Sequence, residues 1–208
     1  MNDIFIAAAS LVTAEDLASA RLGARFGRLD LQSQLALFAV ESLCINFDKV
    51  SRERTGISLA ARWGSLSTDV VYWKGRDAVG GPSPTLFAYT LPSAAVGEIA
   101  IRHRLTGPNF CFVGDDTPAL AEAVEALRRG EMDACVCVSC EVLTPEAARF
   151  AGAMAAAGAC ALFLKPGQGL IPLPEFDRDM RSLFSLVSAR NTSQPALTIP
   201  SCKSRLTN

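Results

Sequence analysis

Histidine is almost absent from this chain, and neither sign of charge is in excess. His103 is the single histidine among 208 residues, and 20 lysine and arginine residues stand against 21 aspartate and glutamate residues. Without a basic run, the composition does not indicate a nucleic-acid surface. A single histidine also argues against a zinc site of the cysteine–histidine type.

Long hydrophobic runs are missing as well. The uncharged apolar stretch 151–164 falls short of the roughly 20 residues that cross a bilayer and is rich in alanine and glycine. The apolar run 4–11 follows Asp3 and lacks the basic segment of a secretory signal. Seven cysteines without an export signal indicate reduced thiols. We therefore expect a cytoplasmic protein.

Three of the cysteines lie close together, at Cys135, Cys137 and Cys140. Their spacing invites a metal interpretation, but the only histidine is His103 and the local sequence alternates like a buried strand. Small, buried hydrophobic side chains are the simpler interpretation. No metal and no cofactor are expected.

The hydrophobic pattern predicts one α/β domain, because half of the residues are hydrophobic and 20% are charged. Short apolar runs predict strands at 4–13, 55–61, 109–113, 134–142 and 159–164. Helical spacing predicts helices at 31–46, 67–76, from Pro92 to near Gly107, and from Pro118 to Gly130. We divide the chain into a main unit at 1–170 and a C-terminal helix with a loosely ordered tail at 171–208.

Several motifs resemble the β-ketoacyl synthase family. LPSAAVGEIAI at 91–101, followed by LTGPN at 105–109, is similar to the family segment that leads into its nucleophile. GEMD at 130–133 and AGACALFL at 157–164 are similar to the two segments that come next, in the same order. The resemblance spans about residues 4–165 and implies the N-terminal half of the thiolase-like fold, a mixed central sheet of about five strands flanked by helices.

The chain departs from the family at the position of the catalytic nucleophile. The family's nucleophilic cysteine stands at a helix N-terminus nine residues after the glycine of Gly-Pro, and counting from Gly107 reaches Asp116. A carboxylate cannot replace a thiolate that accepts an acyl group. The family's catalytic histidines belong to a second half that this sequence does not reach. We expect no enzymatic activity from the chain alone, and a helix-capping role for Asp116.

A short relative without the nucleophile most resembles the chain-length-factor subunits of bacterial type II polyketide systems, especially the abbreviated ones of aryl polyene biosynthesis. In complete chain length factors glutamine commonly replaces the cysteine, so Asp116 departs from that pattern too. The resemblance implies a heterodimer with an active ketosynthase, which is a 3-oxoacyl synthase, and indirect contact with an acyl carrier protein. Glu122, Glu125 and Arg129 form a charged stripe on the helix after Asp116. Such a stripe is typical of a solvent-exposed helix face, which agrees with a chain that forms only half of the fold.

The resemblance also implies two sets of site residues. The dimer seam would be formed by Asn109, Phe110, Cys111, Phe112, Val113 and Gly114. The far end of the partner's acyl tunnel would be closed by Phe87, Tyr89, Thr90, Leu91 and Ala94. The plainer alternative for Phe87 and Leu91 is that they lie four apart on a helix and pack into this chain's own core.

Two other functions remain open. The chain could be a stand-alone module that binds an acyl carrier protein or a small ligand. It could instead be a degenerate acyltransferase or hydrolase that uses Cys111 or Cys140, with His103 at a helix end as the only available base. Cys111 lies in a predicted strand, where we expect its thiol to be buried.

Overall fold

The computed structural model describes residues 3–20, 22–23, 25–77, 79–173 and 179–193. Six strands alternate with helices along this part of the chain. The strands are β1 (Ile4–Thr13), β2 (Thr55–Ala61), β3 (Asn109–Val113), β4 (Ala134–Leu143), β5 (Ala156–Pro166) and β6 (Ile171–Pro172). The α-helices are α1 (Leu31–Ser42), α2 (Leu66–Gly75), α3 (Pro84–Ala88), α4 (Ala94–His103), α5 (Thr117–Arg128), α6 (Pro145–Ala151) and α7 (Met180–Ser193).

The strands form one mixed sheet in the order β3-β2-β4-β5-β1-β6. β2 runs parallel to both β3 and β4, whereas β5 is antiparallel to β4 and to β1. The two-residue β6 extends the sheet past the five predicted strands by pairing with β1. The expected mixed α/β sheet is confirmed.

Each face of the sheet is covered by a different pair of helices. α1 and α4 pack on one face, which we call the α1 face, and α5 and α7 pack on the other, the α5 face. β4 alternates between them, so that Val136 and Val138 join the core of the α1 face while Cys135 and Cys137 join that of the α5 face. Covering both faces removes the central strands from water, which is the main stabilising term of such a layered fold.

Several helices differ from the sequence-based expectation, and α3 was not predicted. α1 ends at Ser42 rather than near residue 46, because the chain leaves the helix at Cys44, which adopts a left-handed φ of 55°. α6 was not predicted. It begins after Thr144, whose hydroxyl accepts a hydrogen bond from the Ala147 N–H, and it has only seven residues. So short a segment carries little periodic signal.

The C-terminal helix is present as α7, and its Met180 and Leu183 are buried in the α5 face. The predicted loose tail beyond residue 193 lies outside the described residues. No helix among the described residues is long and apolar enough to cross a membrane.

Gly107 marks a close approach between the loop before β3 and the start of β2. A Cβ at this position would collide with the Thr55 carbonyl, lying 2.7 Å from its carbon and nearer still to its oxygen. Backbone atoms at this distance cannot give way without shifting the strand. The glycine of the Gly-Pro motif is therefore required by packing at the sheet.

We predict that Gly107→Ala lowers the free energy of unfolding by about 1–3 kcal/mol, as overpacking of a tight site does. Gly97→Ala is the matched control, because a Cβ there meets nothing within 4 Å and the residue lies inside α4. The control should be neutral or stabilising by up to about 1 kcal/mol. Urea denaturation measures both, and equal effects of the two substitutions would contradict the assignment.

Candidate functional site

β3 is an edge strand with open backbone groups. It ends the strand order and pairs with β2 alone among the described residues. The Gly114 N–H donates to the Ala61 carbonyl, and the Ile57 N–H donates to the Pro108 carbonyl. In a parallel ladder alternate residues turn to the same neighbour, so residues 110 and 112 also bond to β2. The remaining backbone groups of the strand, at Asn109, Cys111 and Val113, point away from the sheet.

The side chains of β3 alternate in exposure, as an edge strand allows. Cys111 is exposed and Val113 is 67% exposed, whereas Phe110 and Phe112 are half-buried. The expectation that Cys111 is buried is wrong, because β3 lies at the rim of the sheet rather than in its middle. Phe110 packs against the core of the α5 face.

The loop before α4 adjoins the end of β3. A Cβ added to Gly64 would lie 3.5 Å from Val113 Cγ1 and 3.6 Å from Pro92 Cγ, so these three residues cluster at one point. Leu91, next along the chain from Pro92, is 62% exposed. The open edge thus continues into an apolar surface on the loop.

The residues expected to bound a tunnel divide into two groups. Phe87 and Leu91 are 59% and 62% exposed and do not pack into the core; α3 ends at Ala88, so they do not share a helix. The other three residues make hydrogen bonds within the chain or are partly buried. The Tyr89 hydroxyl donates to Glu98 Oε1 at 3.1 Å, and the Thr90 hydroxyl donates to the Phe87 carbonyl at 2.7 Å. Ala94 is half-buried at the first turn of α4.

An apolar groove of about 400 Å³ lies between α2 and α6. Thr90 reaches its wall, and the Tyr72 ring, also in the wall, lies 5.5 Å from the Phe87 ring. Burial raises the pKa of Asp69, and a hydrogen bond from the Ser65 hydroxyl partly offsets this. The groove is lined by Asp69, Val70, Tyr72, Trp73, Lys74, Thr90 and Phe150.

Asp116 stands at the N-cap position of α5, where the family resemblance places the nucleophile. Its side chain makes no capping hydrogen bond to α5. Oδ2 instead accepts from the Met180 N–H, at 3.3 Å, at the start of α7. The expected helix-capping role for α5 is wrong, because the carboxylate turns to a different helix.

A polar cavity of about 400 Å³ surrounds Asp116. Arg62 bridges Asp115 at 3.2 Å and Glu141 at 3.7 Å, and Arg181 of α7 reaches the same Glu141 at 3.4 Å. These partners are partly exposed, so each pair contributes little by itself. The cavity is lined by Arg62, Gly114, Asp115, Asp116, Thr117, Ser139, Glu141, Asp179 and Arg181.

The candidate thiols are not activated. Partial burial raises the pKa of Cys111 although the residue is exposed overall, and full burial raises the pKa of Cys140 far more. Cys140 lies on the α1 face, opposite Cys135 and Cys137, so the three sulfurs do not converge. In the described part of the chain, no group of three or more His, Cys, Asp or Glu side chains is placed to hold a metal ion.

His103 ends α4, as expected, but its ring is largely buried. The ring centroid lies 4.4 Å from that of Phe47, and Nε2 is buried without a hydrogen-bond partner, 3.9 Å from Glu41 Oε1. Burial lowers the pKa of His103, and the Glu41 carboxylate partly opposes that effect. His103 therefore lies at a helix end, as expected, but its side chain is not on the surface.

Comparison with protein families decides the relationship. The model of the β-ketoacyl synthase N-terminal domain matches residues 19–171. This chain belongs to the β-ketoacyl synthase family. No curated protein matches this ketosynthase relative by sequence.

Several solved structures share the fold of this ketosynthase relative. The ishigamide ketosynthase/chain length factor matches with a TM-score of 0.65 and 20% identity, over 83% of this chain and 64% of that one. A type II polyketide acyl-carrier protein in complex with its hexaketide-bound ketosynthase, AntDE:AntF, gives 0.66 and 16%, over 80% and 63%. This chain thus spans less than two thirds of the first two relatives.

A third structure matches over most of both chains. It is the ketosynthase ApeO in complex with its chain length factor ApeC from Xenorhabdus doucetiae, with a TM-score of 0.66 and 18% identity, over 91% of this chain and 92% of that one. The matched chain is therefore about as long as this ketosynthase relative. At such low identities the three likenesses establish the fold.

Two features of the site were missed from the sequence. The groove walls come from Trp73 and Phe150, which lie far apart in the chain, and the partner of Asp116 is a backbone N–H 64 residues away. Neither contact leaves a local pattern. One sequence signal could have indicated the groove: the otherwise polar helix α2 carries large apolar residues, such as Trp73, at exposed positions.

Proposed function

We propose that this chain is a catalytically silent chain length factor that pairs with an active ketosynthase and bounds its acyl tunnel. The observation that carries the proposal is Asp116, a carboxylate at the nucleophile position, engaged with Met180 rather than free to react. The complexes named above, a ketosynthase with its chain length factor, supply the kind of partner. Type II polyketide or aryl polyene synthesis is the corresponding setting.

The open edge supports pairing. β3 leaves the outward N–H and C=O groups of residues 109, 111 and 113 free of β2, and an unpaired edge strand invites another chain. Val113 and Leu91 expose apolar surface beside it. We assign the seam to Asn109, Phe110, Cys111, Phe112, Val113 and Gly114, and we place the tunnel-bounding residues at Phe87, Tyr89, Thr90, Leu91 and Ala94.

Of the two alternatives, the enzymatic one has little support, because Cys111 and Cys140 have raised pKa values and the ring of His103 is buried against Phe47. A stand-alone ligand-binding module is favoured by one observation, the apolar groove between α2 and α6. Such a module would bind its ligand without a ketosynthase, and the complex described below would not form.

The first test concerns activity. We predict that the purified chain neither accepts a radiolabelled acyl group nor releases carbon dioxide from malonyl carrier protein, because it offers no activated thiolate. Asp116→Cys should remain inactive, since the substitution restores a sulfur without the family's histidines. An active ketosynthase assayed in parallel is the positive control. Acyl transfer onto the unmodified chain would refute catalytic silence.

The second test concerns the seam. Cys111→Pro removes an outward N–H but leaves the pairing with β2 intact, as proline does on edge strands. We predict that it weakens the complex with an aryl polyene-type ketosynthase about tenfold or more, since one interchain hydrogen bond is lost and the strands can no longer close up. Cys111→Ala retains the N–H and should bind normally.

Co-purification and size-exclusion chromatography measure the seam variants, with circular dichroism to verify folding. Phe110 and Phe112 are poorer positions for a disruptive charge, because both side chains are half-buried in this chain. If Cys111→Pro binds as tightly as Cys111→Ala, β3 is not the seam.

The third test concerns the tunnel. Phe87→Ala and Leu91→Ala should lengthen the products of the intact heterodimer, because each substitution opens space equal to several methylene groups. A longer acyl chain can fill that space, and each methylene group that it buries contributes about 0.8 kcal/mol. Ile101→Ala is the matched control, since Ile101 is 61% exposed on α4 but lies outside the tunnel set. Product length is read by mass spectrometry. Unchanged lengths from stable Phe87→Ala and Leu91→Ala complexes would show that these residues do not bound the tunnel.

A further inference from the structure

Three contacts hold the first turn of α7 to the rest of the chain, and a fourth caps the helix itself. The Met180 N–H donates to Asp116 Oδ2 at 3.3 Å, and the Met180 carbonyl accepts from Cys160 Sγ at 3.6 Å. Arg181 reaches Glu141 at 3.4 Å. Asp179 caps the helix itself, accepting from the Ser182 N–H at 2.7 Å, and these hydrogen bonds lower the pKa of the Asp179 carboxyl.

The first turn of α7 brings apolar side chains onto the α5 face of the sheet. Met180 is fully buried and Leu183 is 2% exposed, and both belong to the core of the α5 face. α7 packs on β5 and β1, whereas α5 packs mainly on β2 and β4. Shifting the first turn would therefore open the core above Cys160, which is 1% exposed.

The charge at residue 116 suits this contact. The N-terminus of a helix carries about half a positive charge, so a carboxylate is a better acceptor there than a neutral group. α5, whose N-terminus bears Asp116, has no side-chain cap of its own. The one carboxylate thus lies between two helix starts and bonds to that of α7.

We propose that Asp116 is the positioning residue that holds the first turn of α7 on the sheet, beside the position where the family carries its nucleophile. With the Met180 N–H on the carboxylate, the start of α7 is bonded directly to residue 116. The proposal concerns this chain alone and does not depend on a ketosynthase partner.

The test compares three variants of the full chain by amide hydrogen exchange and by thiol alkylation with iodoacetamide, each resolved by mass spectrometry. Asp116→Ala removes both the charge and the acceptor, whereas Asp116→Asn removes the charge and keeps an acceptor. Asp115→Ala is the matched control, because Asp115 bonds to Arg62 rather than to α7.

Hydrogen exchange in α7 is the main readout. A helix of this length is only marginally stable without its packing. We therefore expect Asp116→Ala to speed exchange in α7 about tenfold, because that factor corresponds to the loss of one charge-assisted hydrogen bond. Asp116→Asn should speed it about threefold, the loss of a helix-terminus charge. Asp115→Ala should match the wild type, and β4 should exchange equally in all four proteins.

Alkylation of Cys160 is the second readout. Burial, and then the negative charge of Asp116, raise the pKa of Cys160 to about 12. Both Asp116 variants remove that charge, so faster alkylation in Asp116→Ala than in Asp116→Asn reports the hydrogen bond alone. Cys140, buried on the opposite face, should stay unreactive and so exclude global unfolding.

Either of two results overturns the proposal. One is wild-type exchange of α7 in Asp116→Ala; the other is equal Cys160 alkylation in Asp116→Ala and Asp116→Asn. If Asp116→Ala unfolds and Cys140 reacts as well, Asp116→Asn decides the question. If α7 then exchanges at the wild-type rate in Asp116→Asn, Asp116 does not position α7.

Discussion

Burial of both faces of β4 is the constraint on which the rest of this structure depends. Val136 and Val138 on one face and Cys135 and Cys137 on the other are fully buried. Each face therefore needs its own helices, and the chain supplies α1 and α4 for one and α5 and α7 for the other. At the start of the neighbouring strand β2, Gly107 lies against the backbone of Thr55, where a side chain would not fit.

The way in which the faces are covered leaves one edge of the sheet open. β3 pairs with β2 on one side, and nothing in the described part of the chain pairs with its other side. Exposed apolar side chains continue from Val113 to Leu91 and Phe87, and the groove between α2 and α6 adjoins them. Backbone hydrogen bonding and apolar burial are thus both unsatisfied along one side of the molecule, which is where a second protein would lower the free energy most.

The position where the family resemblance places the nucleophile has the opposite character, because its charged groups have partners within the chain. Asp116 bonds to α7, and Arg62, Glu141 and Arg181 form ion pairs around it. The neighbouring helix α5 carries its charged stripe on the outside, where Arg129 pairs with Glu122 and Glu125 pairs with Arg128. The polar groups at this position are therefore bonded to one another and to α7, in contrast to the open edge of β3.

The sequence by itself determined the mixed α/β sheet, the bounds of β1, β2 and β3, the family and the absence of a cysteine at residue 116. Short apolar runs, Gly-Pro and the order of motifs are local signals that survive without neighbours. Tertiary structure alone decided that Cys111 is exposed, because its exposure depends on which strand lies at the edge, and that His103 is buried, because Phe47 comes from another segment. It also decided the partner of Asp116. That N–H lies 64 residues away on a helix whose position is set by the core beneath it, and no local pattern records such a contact.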